Sequence, residues 1–491
     1  MNAQMWTVAV GVCVAGTMAI ADEPPARPAP INALLITGHN NHNWQYTSRV
    51  HKETLEGSGR FKVDITDDPA ATLADAAGLK KYQLFVLDYN DYHQAKRWGE
   101  AGAGGGAAEK NFTAAVQSGV GVCAIHSANN AFKGWKEYEQ MLGLMWREGT
   151  GHAAFHAFDV QIVDKEHPIT KGMSDFKQRP DELYHKLVNS QKTSAHVLMQ
   201  AMDDVKDGSG QMEPMAFTLE YEKGRIFATP LGHVWTNDQK SKHTVVEGQF
   251  RALVCRGAEW AATGAVTLGP EWKDVRTHNV PSSDEMMMGW KMLFDGTKQS
   301  AEANFRGYKR EKFPDGWSVK EGALVHTPAA DGGGTDIVTK AEFTDFEFEC
   351  QWKVAKGGNS GIMYRVTEKT DQPYESGPEM QILDDEGHAS SAKKNLAGSY
   401  YDVFPCAADV SRPAGEWNTA RIVVKGDHET YFLNGMKVVD VDSTSAEYKK
   451  ALGESKWAKV ATFNATRTGR IDFQSHGGEV WFRDIKVREL K

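Results

Sequence analysis

Arg365, Glu379, Gln381 and His476 are the residues whose types and spacing most plainly suit chemistry on a polyhydroxylated ligand. Arg365 closes the run Asn359-Ser360-Gly361-Ile362-Met363-Tyr364-Arg365, and Glu379 and Gln381 lie in Pro378-Glu379-Met380-Gln381-Ile382-Leu383-Asp384-Asp385. Both runs read as β-strands, in which successive side chains point to opposite faces. One face carries apolar groups, and the other carries charge and amide. Asp472, Gln474 and His476 likewise share a face opposite Ile471 and Phe473. If these strands are neighbours, a carboxyl, an imidazole and a guanidinium line one concave surface. Glu379 or His476 can then act as general base, with the other as general acid, and Arg365 can stabilise a developing oxyanion. Asn359, Gln381, Gln474 and Asp384 are candidates for binding hydroxyls, and Tyr400 and Tyr401 for stacking on a ring. Asp384 and Asp385 at a strand end are an alternative seat for a cation doing the work of Arg365. A structural alternative pairs Arg365 with Glu379 in a salt bridge that only supports the fold.

A second set lies earlier in the chain. Apolar runs at 33–38, 61–66, 84–88, 121–126, 157–163, 197–201 and 226–230 alternate with helical stretches, the pattern of an α/β domain with a largely parallel sheet. Ligands of such sheets sit beyond the carboxyl ends of the strands. That rule selects His39 and His42, Asp88, His126 and His233. With His152 and Glu182 they form a candidate polar pocket able to ligate a divalent metal ion or to exchange protons with a sugar. No HExxH or comparable local spacing specifies a metal, so a divalent ion stays one option of unknown identity and no cofactor is certain.

The elements that must position these groups fall into two classes. Around 269–286 the pattern lapses into polar residues with Pro270, Pro281, Ser282 and Ser283, a linker signal. Beyond it, Phe346, Phe348, Cys350, Trp352 and Val354 alternate with Glu347, Glu349, Gln351 and Lys353, a half-buried antiparallel strand. Asn434-Gly435 marks a hairpin. At 491 residues two domains are expected, here 31–268 and 287–491. The run 6–20 is too short to span a bilayer and ends in Ala19-Ile20-Ala21, which reads as a signal peptide over 1–21. Export to a bacterial periplasm or beyond follows, with no membrane span left after cleavage. The net charge of −9 and the lack of a basic run exclude nucleic acid as a partner. Oligomeric state leaves no trace in the sequence. The glycine cluster at 102–106 lacks the GK[ST] ending of a phosphate loop and reads as a surface loop.

Two resemblances sharpen this reading. Thr37-Gly38-His39, His42-Asn43-Trp44, the run from Gly121 through His126 to Ala128, His167-Pro168-Ile169, Asp181-Glu182-Leu183-Tyr184 and Leu231-Gly232-His233 resemble the trehalose-utilisation (ThuA-like) family. The resemblance implies a flavodoxin-like architecture akin to class I glutamine amidotransferases. Their elbow cysteine is replaced here by His126, while Cys123 lies within the strand, so glutaminase chemistry is not expected. The second half resembles the 3-keto-disaccharide hydrolase family, a concanavalin-like jelly-roll sandwich. It does so through Leu293-Phe294-Asp295-Gly296, Gly357-Gly358-Asn359-Ser360-Gly361-Ile362, Glu379-Met380-Gln381-Ile382-Leu383-Asp384, Gly398-Ser399-Tyr400-Tyr401, Gly415-Glu416-Trp417-Asn418 and Gln474-Ser475-His476-Gly477. That resemblance implies a carbohydrate substrate, a glycoside whose sugar is oxidised at carbon 3. The ketone acidifies C2–H, so the C1 oxygen can leave by elimination and water can add back. Two other readings stand beside it. In one the jelly roll only binds glycan, and in the other His39, His42, His126 and His233 centre a metal-dependent hydrolysis.

Overall fold

The computed structural model describes residues 28–91, 98, 106–328 and 334–490. The signal-peptide reading of 1–21 and most of the 102–106 cluster lie outside them. The chain forms an α/β domain followed by an antiparallel β-sandwich. The nine-stranded sheet of the first domain runs Phe61–Thr66, Ile31–Ile36, Leu84–Leu87, Gly121–Ile125, Gly224–Thr229, Met212–Tyr221, His196–Met202, His156–Ile162, Phe176–Asp181. Its first five strands are parallel, and the four from Met212–Tyr221 onward are antiparallel. The largely parallel sheet expected from the sequence is therefore mixed. The reason is visible in burial: Gly121–Ile125 is buried at every position, whereas His156–Ile162 alternates between buried and exposed. Helices Trp44–Gly57 and Gly248–Thr263 pack on one face and Ala107–Gln117 on the other, dividing the core in two. Asn43 caps the first of them by accepting from the Tyr46 amide, and left-handed Gly264 ends the second.

The sandwich packs two antiparallel sheets. One contains Trp317–Lys320, Ala323–His326, Val480–Glu489, Phe346–Val354, Asn418–Lys425, His428–Leu433 and Met436–Asp442, with Lys291–Met292 added beside Val480–Glu489. The other runs Phe305–Gly307, Ile337–Thr339, Arg470–Phe473, Asn359–Val366, Glu379–Leu383. The inward-facing Phe348, Cys350, Trp352, Ile362, Tyr364, Phe473 and Phe482 fill the space between them, all at most 1% exposed. This second sheet carries Glu379, Gln381, Asp472 and Gln474 on its outer face. Its register sets Gly361 beside Gln381 and Met363 beside both Glu379 and Asp472. Gly361 is required there, because a Cβ would lie 2.2 Å from Oε1 of Glu379.

The two domains meet through polar contacts. Asp409 of the sandwich accepts from Lys242 Nζ (2.5 Å), Gln239 Nε2 (3.0 Å) and the Asn237 amide (2.8 Å), while the Asp409 carbonyl accepts from Asn43 Nδ2 (2.8 Å). Arg412 pairs with Glu53, Arg251 with Glu416, and His243 with Glu386.

Candidate functional site

On the outer face of the second sheet lies a cavity of about 240 Å³, lined by Asn359, Tyr374, Glu379, Gln381, Tyr401, Lys456, Trp457, Gln474 and His476. Six of these, Asn359, Glu379, Gln381, Tyr401, Gln474 and His476, are residues singled out from the sequence. Strand positions account for Glu379, Gln381 and Asn359, while Tyr401, Gln474 and His476 reach the cavity from segments outside the strands. Glu379 and Gln381 come from one strand, Asn359 from its neighbour, and Gln474 and His476 from the segment after Arg470–Phe473. The Gln381 amide donates to Oε1 of Glu379 (3.0 Å) and to the Ser360 carbonyl (3.1 Å), the orientation that satisfies both of its ends.

The electrostatics separate the two titratable groups. Burial pushes the Glu379 carboxyl up to about 8, against the pull of Lys456 and with help from Asp336. His476 moves the other way: although the residue is exposed, partial desolvation of its ring, then Lys456, then His388 hold its imidazole below the usual histidine range. At neutral pH the cavity thus holds a protonated carboxyl and a neutral imidazole. Lys456 carries the positive charge, its Nζ 4.1 Å from the Tyr401 ring centre and 4.4 Å from that of Trp457. Burial lowers its pKa, and Glu379 and Asp402 oppose the shift. Beneath the cavity floor Asp472 is fully buried, and neither of its oxygens has a hydrogen-bond partner. Its carboxyl is raised well above the usual range by burial, then by Asp336 and Glu379.

Four sequence candidates lie elsewhere, and Arg365 is the most consequential. The strand Asn359–Val366 breaks register between Met363 and Val366, and Arg365 adopts φ 55°. The bulge turns its side chain away from the cavity. Its Nη1 donates to Glu429 Oε1 (2.7 Å) and Asn464 Oδ1 (2.9 Å), and its Nη2 to the Gly426 carbonyl (2.5 Å). The salt bridge considered with Glu379 is made with Glu429 instead. Tyr400 faces the core, stacked on Tyr431 at 5.6 Å and bonded to the Tyr448 hydroxyl (2.9 Å). Asp384 accepts from the Gly357 amide (2.7 Å), and Asp385 from Ala397 N (2.9 Å) and Ser411 Oγ (2.5 Å). Both tie loops, and neither faces a shared cation position. The sequence reasoning missed Lys456, Trp457 and Tyr374, which come from a turn after the helix Ala446–Gly453 and from the short turn Pro373–Glu375. Neither segment has a period to betray which side chain faces the cavity.

In the α/β domain His42, His126, His233 and Glu182 each place one ligand atom within 4.8 Å of the others, and all four are buried. His126 occupies the elbow after Gly121–Ile125 at φ 50°, the position anticipated for it. Its Nδ1 donates to the Pro230 carbonyl (2.7 Å), and His42 Nδ1 donates to Asn40 Oδ1 (2.9 Å). Both rings thereby present Nε2 inward, 3.3 Å apart, with the Tyr184 hydroxyl 3.0 Å from that of His126. His233 is fully buried, its Nδ1 3.0 Å from Glu182 Oε2 and its Nε2 without a hydrogen bond among the described residues. Burial, then neighbouring histidines, hold His42 well below its usual range, and burial, then His233, bring His126 down to about 4. Neutral imidazoles beside a carboxylate are the donor set a divalent transition metal takes. His152 joins through Glu182 Oε1 (3.0 Å). His39 bonds the Asn90 carbonyl (2.6 Å), and Asp88 accepts from Thr47 (2.7 Å) with its carboxyl raised to about 7 by burial; neither belongs to the four-residue group. Cys123 is fully buried, and burial raises its thiol far above reactive values.

A larger cavity of about 300 Å³ lies beneath 268–273, but the guanidinium of Arg256 there is spent on the Pro168, Ile169, Lys171 and Leu268 carbonyls.

Fold and cavities together define a protein in which an α/β domain with a histidine cluster is fused to an antiparallel sandwich with an acid–base cavity. Residues 289–488 match the family described as 3-keto-alpha-glucoside-1,2-lyase-like domain, and residues 32–261 match the family described as trehalose utilisation. A 3-keto-disaccharide hydrolase of Bacteroides thetaiotaomicron is 32% identical over 231 residues, covering 41% of this chain and 79% of that one. The chain belongs to the 3-keto-disaccharide hydrolase family. Solved structures overlay one half each. A protein from Parabacteroides distasonis described as a glycosyl hydrolase is 28% identical, covers 44% of this chain and 100% of that one, and has TM-score 0.40. A ThuA-like protein from Parabacteroides merdae is 34% identical, covers 49% and 93%, and has TM-score 0.42.

Proposed function

We propose that the sandwich cavity cleaves 3-keto-glycosides by elimination and rehydration. The observation that carries this is the meeting of Glu379, His476 and Lys456 in one cavity, with the carboxyl and the imidazole pushed to opposite sides of neutrality. Neutral His476 takes the C2 proton, and the electron pair left on C2 delocalises into the C3 carbonyl as an enolate. The Lys456 ammonium, fixed on two aromatic faces, stabilises that oxyanion in the role Arg365 was expected to fill. The enolate collapses to a C1=C2 double bond, the C1–O bond breaks, and the protonated Glu379 carboxyl gives its proton to the leaving oxygen. Water then adds at C1, its proton restoring Glu379, while His476, exposed and so exchanging its N–H with solvent, returns a solvent-derived proton to C2. The net change is hydrolysis. Gln381, Gln474 and Asn359 hold the ring hydroxyls.

The test is to incubate the protein in D₂O with a 3-keto-disaccharide and with its unoxidised parent. Expected are cleavage and C2 deuterium incorporation in the ketone alone. Cleavage of the parent at a comparable rate, or cleavage of the ketone without C2 exchange, would overturn the mechanism.

A second activity is favoured by the histidine cluster. His42, His126, His233 and Glu182 would hold one divalent ion, which supplies a Lewis acid for a keto-sugar oxygen. Metal analysis of the purified chain is expected to give one equivalent, lost in His233→Ala. The same reading takes the chain to be exported, on the evidence of the apolar run 6–20. N-terminal sequencing of the protein recovered from its producing cell would then begin at Asp22.

A further inference from the structure

The cavity has two unlike kinds of lining. Glu379, Gln381, Gln474 and Asn359 are its polar lining, while Tyr401, Trp457 and Tyr374 supply aromatic faces, two of them beneath the Lys456 ammonium. At about 240 Å³ it is smaller than the roughly 300–1,000 Å³ that enclose a drug-sized ligand, so one pyranose ring fits and a disaccharide does not. The departing half of any substrate must therefore lie at the mouth. Tyr374 is 37% exposed, and among the described residues from 289 onward it is the single large apolar side chain left exposed.

Its position is built rather than incidental. The turn Pro373–Glu375 is closed by Glu375 Oε2, which accepts from the Asp371 and Gln372 amides (2.9 and 3.0 Å). Thr462 Oγ1 holds the Glu375 carbonyl (2.7 Å) and the Asn464 amide holds that of Ser376 (2.9 Å). The Tyr374 ring leans on Trp457 at 5.9 Å, and Trp457 stacks on Phe463 at 5.0 Å and 8°. A held, exposed ring lining the same cavity as the acid that protonates the leaving oxygen is a platform for a flat leaving group.

Building on the function proposed above, we propose that Tyr374 receives the leaving group by ring stacking and sets the preference for aryl or pyranosyl over small alkyl aglycones. The experiment compares aryl and methyl 3-keto-glucosides of one anomer on the full chain. Tyr374→Ala is expected to lower kcat/KM about fivefold to tenfold for the aryl substrate and by less than twofold for the methyl one, with Tyr374→Phe close to wild type. An equal loss on both substrates, or no loss on either, overturns the proposal. Should the wild-type protein cleave neither ketone, the reaction assigned above falls instead. The platform is then decided by binding of the unoxidised aryl glucoside, followed through tryptophan fluorescence. At least fivefold weaker binding in Tyr374→Ala supports it, and unchanged binding overturns it.

Discussion

Glu379 owes its assigned role to burial, and His476, an exposed side chain, owes its own to partial desolvation and the neighbouring Lys456 and His388; both roles are visible in a pH profile. His476 must be neutral to accept a proton, so activity falls as pH drops through its lowered pKa, below 6.5. Glu379 must be protonated to donate, so activity falls as pH rises past about 8. The expected kcat/KM profile is a bell between those limits. Glu379→Gln is expected to cost about 10²–10⁴ in rate, leave substrate binding intact and abolish the alkaline limb. Lys456→Met probes a different term. Losing the cation opposite the enolate should lower kcat by about 10²–10³, while KM changes little. Steady-state kinetics across pH separate the two. Lys456 also marks the limit of the sequence at this scale. It follows a short helix in a stretch without alternation, so only the folded turn shows its Nζ lying over Tyr401 and Trp457.

Strands explain which candidates converged and which did not. Glu379, Gln381, Gln474 and Asn359 were legible because a period of two sends alternate residues to one face, and pairing does the rest. Arg365 obeys the same alternation on paper, but one bulge after Met363 rotates it into the core beside Glu429. Bulges leave no reliable trace in a single sequence. Arg365→Ala is therefore expected to act on stability. It strands the fully buried Glu429 and should cost the sandwich about 3–5 kcal/mol by denaturant unfolding, with the limbs of the pH profile unmoved. The strand Arg470–Phe473 offers the opposite case. Asp472 keeps a folded pKa above its unfolded one, so it adds stability at low pH, and that stability is lost as pH rises through the folded value. Asp472→Asn should raise the unfolding temperature by a few degrees at pH 8 and by less at pH 5.

The two domains are joined by more than the chain between them. Lys242 is fully buried in the contact and answers to Asp409, which also grips Asn237 and Gln239 a few residues beyond His233 and Trp235. Trp235 in turn stacks on His42 at 4.7 Å. Asp409→Asn removes the counter-charge of a buried ammonium. The expected result is a loss of about 3–5 kcal/mol and a thermogram that splits from one transition into two, read by differential scanning calorimetry. The order of domain classes was legible from the change in hydrophobic period near residue 269, and the mixed character of the first sheet was hidden because short apolar runs look alike in parallel and antiparallel strands. Contacts such as Asp409 with Lys242 join residues 167 apart and leave no local signal.

Among the described residues Cys123, Cys255, Cys350 and Cys406 form no disulfide, and burial raises the pKa of each thiol. Neither oxidant nor reductant has a purchase on them. The described domains should consequently mature without forming a disulfide and keep these four thiols reduced in an oxidising medium, which a thiol titration of the folded and unfolded protein would check.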